Sequence, residues 1–320
     1  MNNLKHGYWS KSRFLITLLS IGIITACEPI QAQQLSSPNL PTTGASSQKL
    51  TDQNLLRSYY IYIPSSYNSN HPMPLVLVFH GDDGTGRSIS NVSEFNKLAE
   101  QKGFIVVYPD GLDNNWRLKQ QNSKGIDDIT FVNHLIDNLQ NNLNIDGNRI
   151  YATGFSKGGI FAQVLACTLS DKIAAFASVA GALPVQREKQ CQPQTPVSML
   201  MINGTNDKSV HYQGDEPSQK GALVSIPETV NFWREQNQCQ GSLKNVAFEP
   251  NESSDTTVKT VAYNNCVSGS EVLHLAVING GHQWYGGAST DENVNKFNQK
   301  LGLNSTETIW NFFTRHSLGQ

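Results

Sequence analysis

The stretch Arg149-Ile-Tyr-Ala-Thr-Gly-Phe-Ser-Lys-Gly-Gly159 carries the reading of the chain. Arg149–Thr153 reads as a strand, and residues 158–169 read as a helix. Between them, Gly154-Phe155-Ser156-Lys157-Gly158 fits G-x-S-x-G, the pattern of a serine on a sharp strand-to-helix turn. Such a turn forces the serine backbone into a strained conformation, so its neighbours must be small. Glycines at 154, 158 and 159 leave that room. The turn aims the Ser156 hydroxyl out of the sheet at a helix N-terminus. The plainer alternative is a serine that merely starts a helix.

Outward from this turn the chain keeps alternating between strand and helix patterns. Arg57–Ile63 alternates as a half-buried strand does. Leu75–Phe79 and Phe104–Tyr108 are continuous apolar runs, as parallel strands covered on both faces require. Ile129, Val132, Ile136, Leu139 and Leu143 recur at helical spacing. Ala174–Val179, Val197–Ile202 and Glu271–Ile278 read as further strands. Ser225–Gln238 reads as a helix with an apolar stripe through Val230 and Trp233. Asn304, with Glu307 three residues later, caps a last helix through Phe313. The expectation is an α/β fold, with a mostly parallel central sheet covered by helices on both faces. In such sheets, sites form at the carboxyl ends of the strands.

Composition narrows the function. The 320 residues are 38% hydrophobic and only 16% charged, the rest of the polar content being largely Asn, Gln, Ser and Thr. This excludes a disordered charged chain. The net charge of −2 lacks the basic excess of a nucleic-acid binder. Lys5, Lys11 and Arg13 precede an apolar run from Phe14 to Ala26, which has the length of a signal-peptide core and is short for a membrane span. Ile24-Thr25-Ala26-Cys27 is similar to a bacterial lipobox, implying cleavage before Cys27, lipidation of its sulfur and a membrane anchor. An ordinary secretory signal cut after Ala32 is the alternative. Residues 1–26 are therefore read as a signal peptide, 27–50 as a flexible tether and 51–320 as one domain. Removing the signal takes away three positive charges and leaves about −5. In an oxidising compartment Cys167, Cys191, Cys239 and Cys266 read as two disulfides, with three connectivities possible. Cys167–Cys191 with Cys239–Cys266 is favoured because each closes a short segment, worth ~3 kcal/mol per loop in the chain-entropy model. No C-x-x-C pair is present, so the pattern of a structural zinc site is missing.

A serine on such a turn needs a base and an acid, in the chain order Ser, Asp/Glu, His. The strand ending at Ile202 runs into Asn203-Gly-Thr-Asn-Asp207, and the last strand runs into Asn279-Gly-Gly-His282. His282 is read as the base that takes the Ser156 proton and returns it to a leaving alcohol. Asp207 is read as the group that orients the imidazole, with Asp215 the nearest competitor. An oxyanion hole needs two preorganised N–H donors. The expected donors are the amides of Lys157 and of Asp82, in the loop His80-Gly81-Asp82-Asp83-Gly84, with the Asp82 carboxylate turned away or paired. His80 is read as a structural support of that loop. Trp116, Tyr212 and Trp284 are candidates to stack on a sugar or aryl ring, against the alternative of ordinary packing. Asp127 and Asp128 read as helix-start charges facing the macrodipole. Neither G-x-x-x-x-G-K-[ST] nor H-E-x-x-H occurs, and no cofactor or metal is expected.

Taken together, the motifs resemble the secreted serine esterases grouped with polyhydroxybutyrate depolymerases, feruloyl esterases and acetyl xylan esterases. The resemblance rests on PLVLVFHG at 74–81, YPDG at 108–111, IDDITFV at 126–132, GFSKGG at 154–159, INGTND at 202–207 and GGHQWYGG at 280–287. It runs from about Arg57 to the C-terminus. It implies an α/β-hydrolase fold, a Ser156–Asp207–His282 triad, no cofactor, and the favoured disulfide pairing. Lys157 stands where the family more often has Asn, Lys208 and His211 where it often has Pro, and Tyr285 where Pro often follows Trp284. These departures bear on substrate preference. The expected protein is a monomeric, secreted or lipid-anchored serine carboxylesterase acting on plant-polysaccharide esters or hydroxyalkanoate oligomers. A prolyl-oligopeptidase-type peptidase and an inactive glycan-binding lipoprotein are the rival readings. Turnover of p-nitrophenyl acetate against a Pro-anilide separates the first, and labelling by a serine-directed phosphonate separates the second.

Overall fold

The apolar runs of the sequence lie side by side in one twisted sheet. A computed structural model describes residues 43–118, 127–216, 219, 221–240, 244–245 and 257–319. In chain order the first half comprises β1 (Gly44–Asp52), β2 (Leu55–Ile63), β3 (Met73–Phe79), α1 (Gly86–Ser93), α2 (Phe95–Lys102), β4 (Ile105–Pro109), α3 (Asp128–Asn142), β5 (Ile145–Phe155) and α4 (Lys157–Ala166). The second half comprises β6 (Ala175–Val179), α5 (Val185–Glu188), β7 (Ser198–Gly204), α6 (Ile226–Gln236), β8 (Lys244–Asn245), β9 (Val258–Tyr263), β10 (Val272–Val277), α7 (Glu292–Leu301) and α8 (Ser305–Phe313).

The strand order is β1-β2-β4-β3-β5-β6-β7-β10-β9-β8. From β4 to β10 every neighbouring pair is parallel, and both flanks are antiparallel. The register sets Gly154 of β5 beside Phe79 of β3 and Ser178 of β6, so these strands end along one edge. Period-2 alternation separates the two faces. Leu75, Leu77 and Phe79 join a core with Phe131, Phe161 and Trp233, from α3, α4 and α6. Val76 and Val78 join the opposite core with Phe95 and Phe313, from α2 and α8. Helix α4 is buried along all of Gly158–Ala166, as its apolar sequence demands.

The segment read as a tether is corrected at its end: Gly44–Asp52 is an edge strand paired antiparallel with β2. Residues 1–42, and with them Cys27 and the segment expected to be a signal peptide, lie outside the described residues. Asp127 caps α3, its carboxylate accepting from the Thr130 amide at 2.6 Å. Asp128 is more than a helix-start charge. It is buried and pairs with buried Arg57 at 2.6 Å, which also donates to the Asp110 carbonyl. Both favoured disulfides are formed. Cys167–Cys191 ties the end of α4 to the segment after α5, and Cys239–Cys266 ties the end of α6 to the turn before β10. Two such bonds fit export to an oxidising compartment. Among the described residues, no helix is long and apolar enough to cross a membrane.

Candidate active site

Ser156 joins β5 to α4 at φ 54° and ψ −121°, a region that side chains rarely adopt. Such a conformation costs of order 1–3 kcal/mol and persists only where the surroundings impose it. Here the Ser156 amide donates to the Val179 carbonyl at 2.9 Å and its own carbonyl accepts from the Ile160 amide at 2.9 Å. A β-carbon at residue 154 would lie 2.4 Å from the Gly158 backbone, and one at 158 would lie 2.2 Å from the Phe79 carbonyl. The glycines of the motif are thus required by backbone contact.

Asp207 and His282, the expected acid and base, lie in the loops after β7 and β10. These loops are joined by backbone hydrogen bonds, from the Thr205 amide to the Val277 carbonyl and from the Asn206 amide to the Gly280 carbonyl, both 2.9 Å. The Tyr285 hydroxyl donates to the Gly281 carbonyl at 2.7 Å and steadies the turn that carries His282. Nδ1 of His282 lies 2.7 Å from Oδ2 of Asp207. The Asp207 carboxylate, 5% exposed, also accepts from the amides of Ser209 at 2.8 Å and Val210 at 2.9 Å. Burial pushes its pKa up, but the hydrogen bonds from His282 and the two amides outweigh that, so the carboxyl sits below its ordinary value. Asp215 is excluded as the partner of His282: it pairs with His211 and accepts from the Leu223 amide. The His282 ring packs 4.9 Å from the ring of Phe155, the residue before the serine. No hydrogen bond joins Ser156 Oγ to His282 in this structure. Such contacts commonly tighten only when substrate binds.

On the other side of Ser156 stands the loop after β3. A β-carbon on Gly81 would lie 3.4 Å from the Ser156 β-carbon, which places this loop against the serine. The Asp82 carboxylate accepts a hydrogen bond from the Asn115 side-chain amide. Lys157 is the first residue of α4, and its N–H is one of the four at a helix start that have no intrahelical acceptor. His80 is fully buried. Its Nδ1 donates to the Gly81 carbonyl at 2.6 Å and its Nε2 accepts from the Gly111 amide at 2.9 Å. Burial is the main influence on this ring and holds its pKa below the ordinary value.

Two of the three predicted stacking residues are corrected. Trp116 is 2% exposed, stacks on Phe161 at 4.7 Å and donates to the His80 carbonyl. Trp284 is 3% exposed and donates to Thr306 Oγ1 at 2.9 Å. Both indoles are core supports of the site's loops and offer no ring face to a ligand. Tyr212 is half-buried, with its ring 6.1 Å from that of His274. The parts that sequence reasoning missed are Asn115, which belongs to no motif, and Phe155, which fills a variable position of G-x-S-x-G; only the packing shows their contacts with Asp82 and His282. Among the described residues, no group of three His, Cys, Asp or Glu side chains is placed to hold a metal ion.

A serine on a strained strand–helix turn, facing an Asp–His pair from later strands of the same parallel sheet, places the fold among the α/β-hydrolases. Residues 57–188 match the family model described as Esterase PHB depolymerase. It is 30% identical over 232 residues to the bifunctional acetylxylan esterase/xylanase XynS20E of Neocallimastix patriciarum, covering 72% of this chain and 31% of that one. It is 28% identical over 236 residues to feruloyl esterase B of Piromyces equi, covering 71% and 42%. The chain thus spans under half the length of these two relatives. Among solved structures, acetyl xylan esterase from Aspergillus awamori superposes with a TM-score of 0.57 at 19% identity, covering 79% of this chain and 98% of that one. The feruloyl esterase module from Clostridium thermocellum superposes at 0.51 and 13%, covering 77% and 84%.

Proposed function

We propose that the protein is a serine carboxylesterase that works through an acyl-enzyme. The observation that carries this reading is the strained Ser156 set beside a loop pair that holds His282 on Asp207 at 2.7 Å. In this scheme His282 Nε2 takes the Ser156 proton as Oγ attacks the ester carbonyl. The amides of Lys157 and Asp82 hold the oxyanion, and Asp207 stabilises the imidazolium. The imidazolium returns the proton to the leaving alcohol, and a water activated by His282 releases the acid.

The substrates are plant-polysaccharide side-chain esters, feruloyl or acetyl, or hydroxyalkanoate oligomers. The names of the relatives and the family description support this range. The two disulfides support export, and the Cys27 segment supports a lipid anchor. The test is hydrolysis of p-nitrophenyl acetate, methyl ferulate, acetylated xylan and a hydroxybutyrate trimer by the oxidised protein and by Ser156→Ala. Serine-dependent turnover of one natural ester is expected. Equal rates in the two proteins would overturn the assignment.

A further inference from the structure

Two motifs take no part in the proposed chemistry, YPDG at 108–111 and IDDITFV at 126–132. One buried ion pair joins them. Arg57 of β2 is buried, Asp128 at the start of α3 is fully buried, and they meet at 2.6 Å. The Arg57 guanidinium also lies over the Phe131 ring, 3.8 Å from its centre. Each partner takes a backbone group from the segment between β4 and α3. Arg57 Nη2 donates to the Asp110 carbonyl at 3.1 Å, and Asp128 Oδ2 accepts from the Arg117 amide at 2.6 Å. Residues 110–117 are thus an arch whose two ends are held by the two halves of one ion pair. The arch is tightly wound. Asp113 and Asn114 both have positive φ, and a β-carbon at Gly111 would lie 2.5 Å from the Asn115 carbonyl oxygen. Backbone of this kind persists only where its surroundings impose it.

The arch meets the loop after β3 with three donors. The Gly111 amide donates to His80 Nε2 at 2.9 Å, Trp116 Nε1 donates to the His80 carbonyl at 2.8 Å, and the Asn115 side chain donates to the Asp82 carboxylate. That loop packs against Ser156 and carries the Asp82 amide of the proposed oxyanion hole. We propose that the Arg57–Asp128 pair is a positioning device for the oxyanion hole and acts through this arch. Stability alone does not call for the pair, since an apolar pair of similar volume is often at least as stable as a buried ion pair. An apolar pair lacks what the arch uses, a donor for one end and an acceptor for the other at a fixed separation. Oxyanion donors work only in register with the reacting carbonyl, and a misplacement of about 1 Å can cost roughly 10²-fold in rate. The inference deepens the proposed function and rests on it for the existence of the oxyanion.

The test uses the full, oxidised chain beside Ser156→Ala, the double variant Arg57→Met with Asp128→Leu, and Asn115→Ala. The double change strands no buried charge. Asn115 is only half-buried, so its truncation spares the core. The readouts are kcat/KM on p-nitrophenyl acetate, its pH profile, and inhibition by an aryl trifluoromethyl ketone. Ser156 Oγ bonds to the ketone carbon, the carbonyl π pair moves onto oxygen, and the serine proton passes to His282. The adduct therefore places an oxyanion in the hole. The double variant should lose about 10–100-fold in kcat/KM and Asn115→Ala about 3–10-fold. Ketone inhibition should weaken in step, with the pH midpoint unchanged, because the Asp207–His282 pair lies on the other side of Ser156. Folded variants that match the wild type in kcat/KM and ketone inhibition would overturn this inference alone. A shifted pH midpoint with undiminished ketone inhibition would place the loss at His282 and also overturn it. Equal hydrolysis by wild type and Ser156→Ala would sink the esterase reading and this inference with it.

Discussion

Two loops flank Ser156, and each brings a histidine toward it. After β3, His80 is fully buried and both ring nitrogens are committed, one to the Gly81 carbonyl and one to the Gly111 amide. After β10, His282 is partly exposed and commits only Nδ1, to Asp207. A general base needs one nitrogen free to face the nucleophile. The difference lies in the ring's surroundings, since both residues follow an apolar strand and stand beside glycine. His80 is a strut for the loop after β3, and His282 keeps the free nitrogen that the proposed base requires.

The sharpest way to break this comparison is Asp207→Asn. It leaves the shape intact but upsets the tautomer of His282, and an ester kcat loss of roughly 10³–10⁴-fold is expected. A loss below tenfold would mean that the Asp207–His282 pair is structural. His80→Ala should lower kcat by about 10–100-fold, less than loss of a whole oxyanion donor. It should also lower the Tm, because Gly81 and Gly111 lose their shared partner. An unchanged pH profile with an intact Tm would remove His80 from any supporting role.

A third histidine sharpens the lesson about burial. His274 on β10 has an unpaired Nε2, and burial pushes its pKa from the ordinary 6.5 to about 4. Its folded pKa lies below its unfolded one, so its neutral form supports folding fully above about 6.5, and that support is lost as pH falls toward 4. The full penalty is about 3 kcal/mol. His274→Leu should therefore flatten the fall in Tm between pH 7 and pH 4.5, and an unchanged slope would assign the fall to other groups. The smallest expected effect on the site is opening Cys239–Cys266 by a paired change to Ser. Stability should drop by about 3 kcal/mol in the chain-entropy model, with kcat on p-nitrophenyl acetate nearly unchanged.

Much of the architecture was legible because parallel strands and buried helices carry strong local patterns. The spacing of Ile129 to Leu143 predicted the helix found at Asp128–Asn142, and the Asn304 signal predicted α8 at its first residue. The polar stretch from Gly44 resembles a tether in sequence because an edge strand keeps alternate residues in solvent, and its stability comes from pairing with β2. Helix α1 carries little sequence signal because its apolar content is little more than Ile89 and Val92.

The sequence alone determined the strand–turn–helix around Ser156, since the glycines at 154, 158 and 159 answer a local steric demand written in consecutive residues. It also determined the chain order of serine, acid and base. Tertiary structure alone decided which aspartate meets His282, because Asp207 and Asp215 both follow β7 and only packing brings one of them to the ring. It alone buried Trp116 and Trp284, since an indole's sequence neighbours do not say which side of a loop faces the core. It alone left the Asn298 side chain buried and unpaired, because whether a polar atom finds a partner depends on residues far away in the chain.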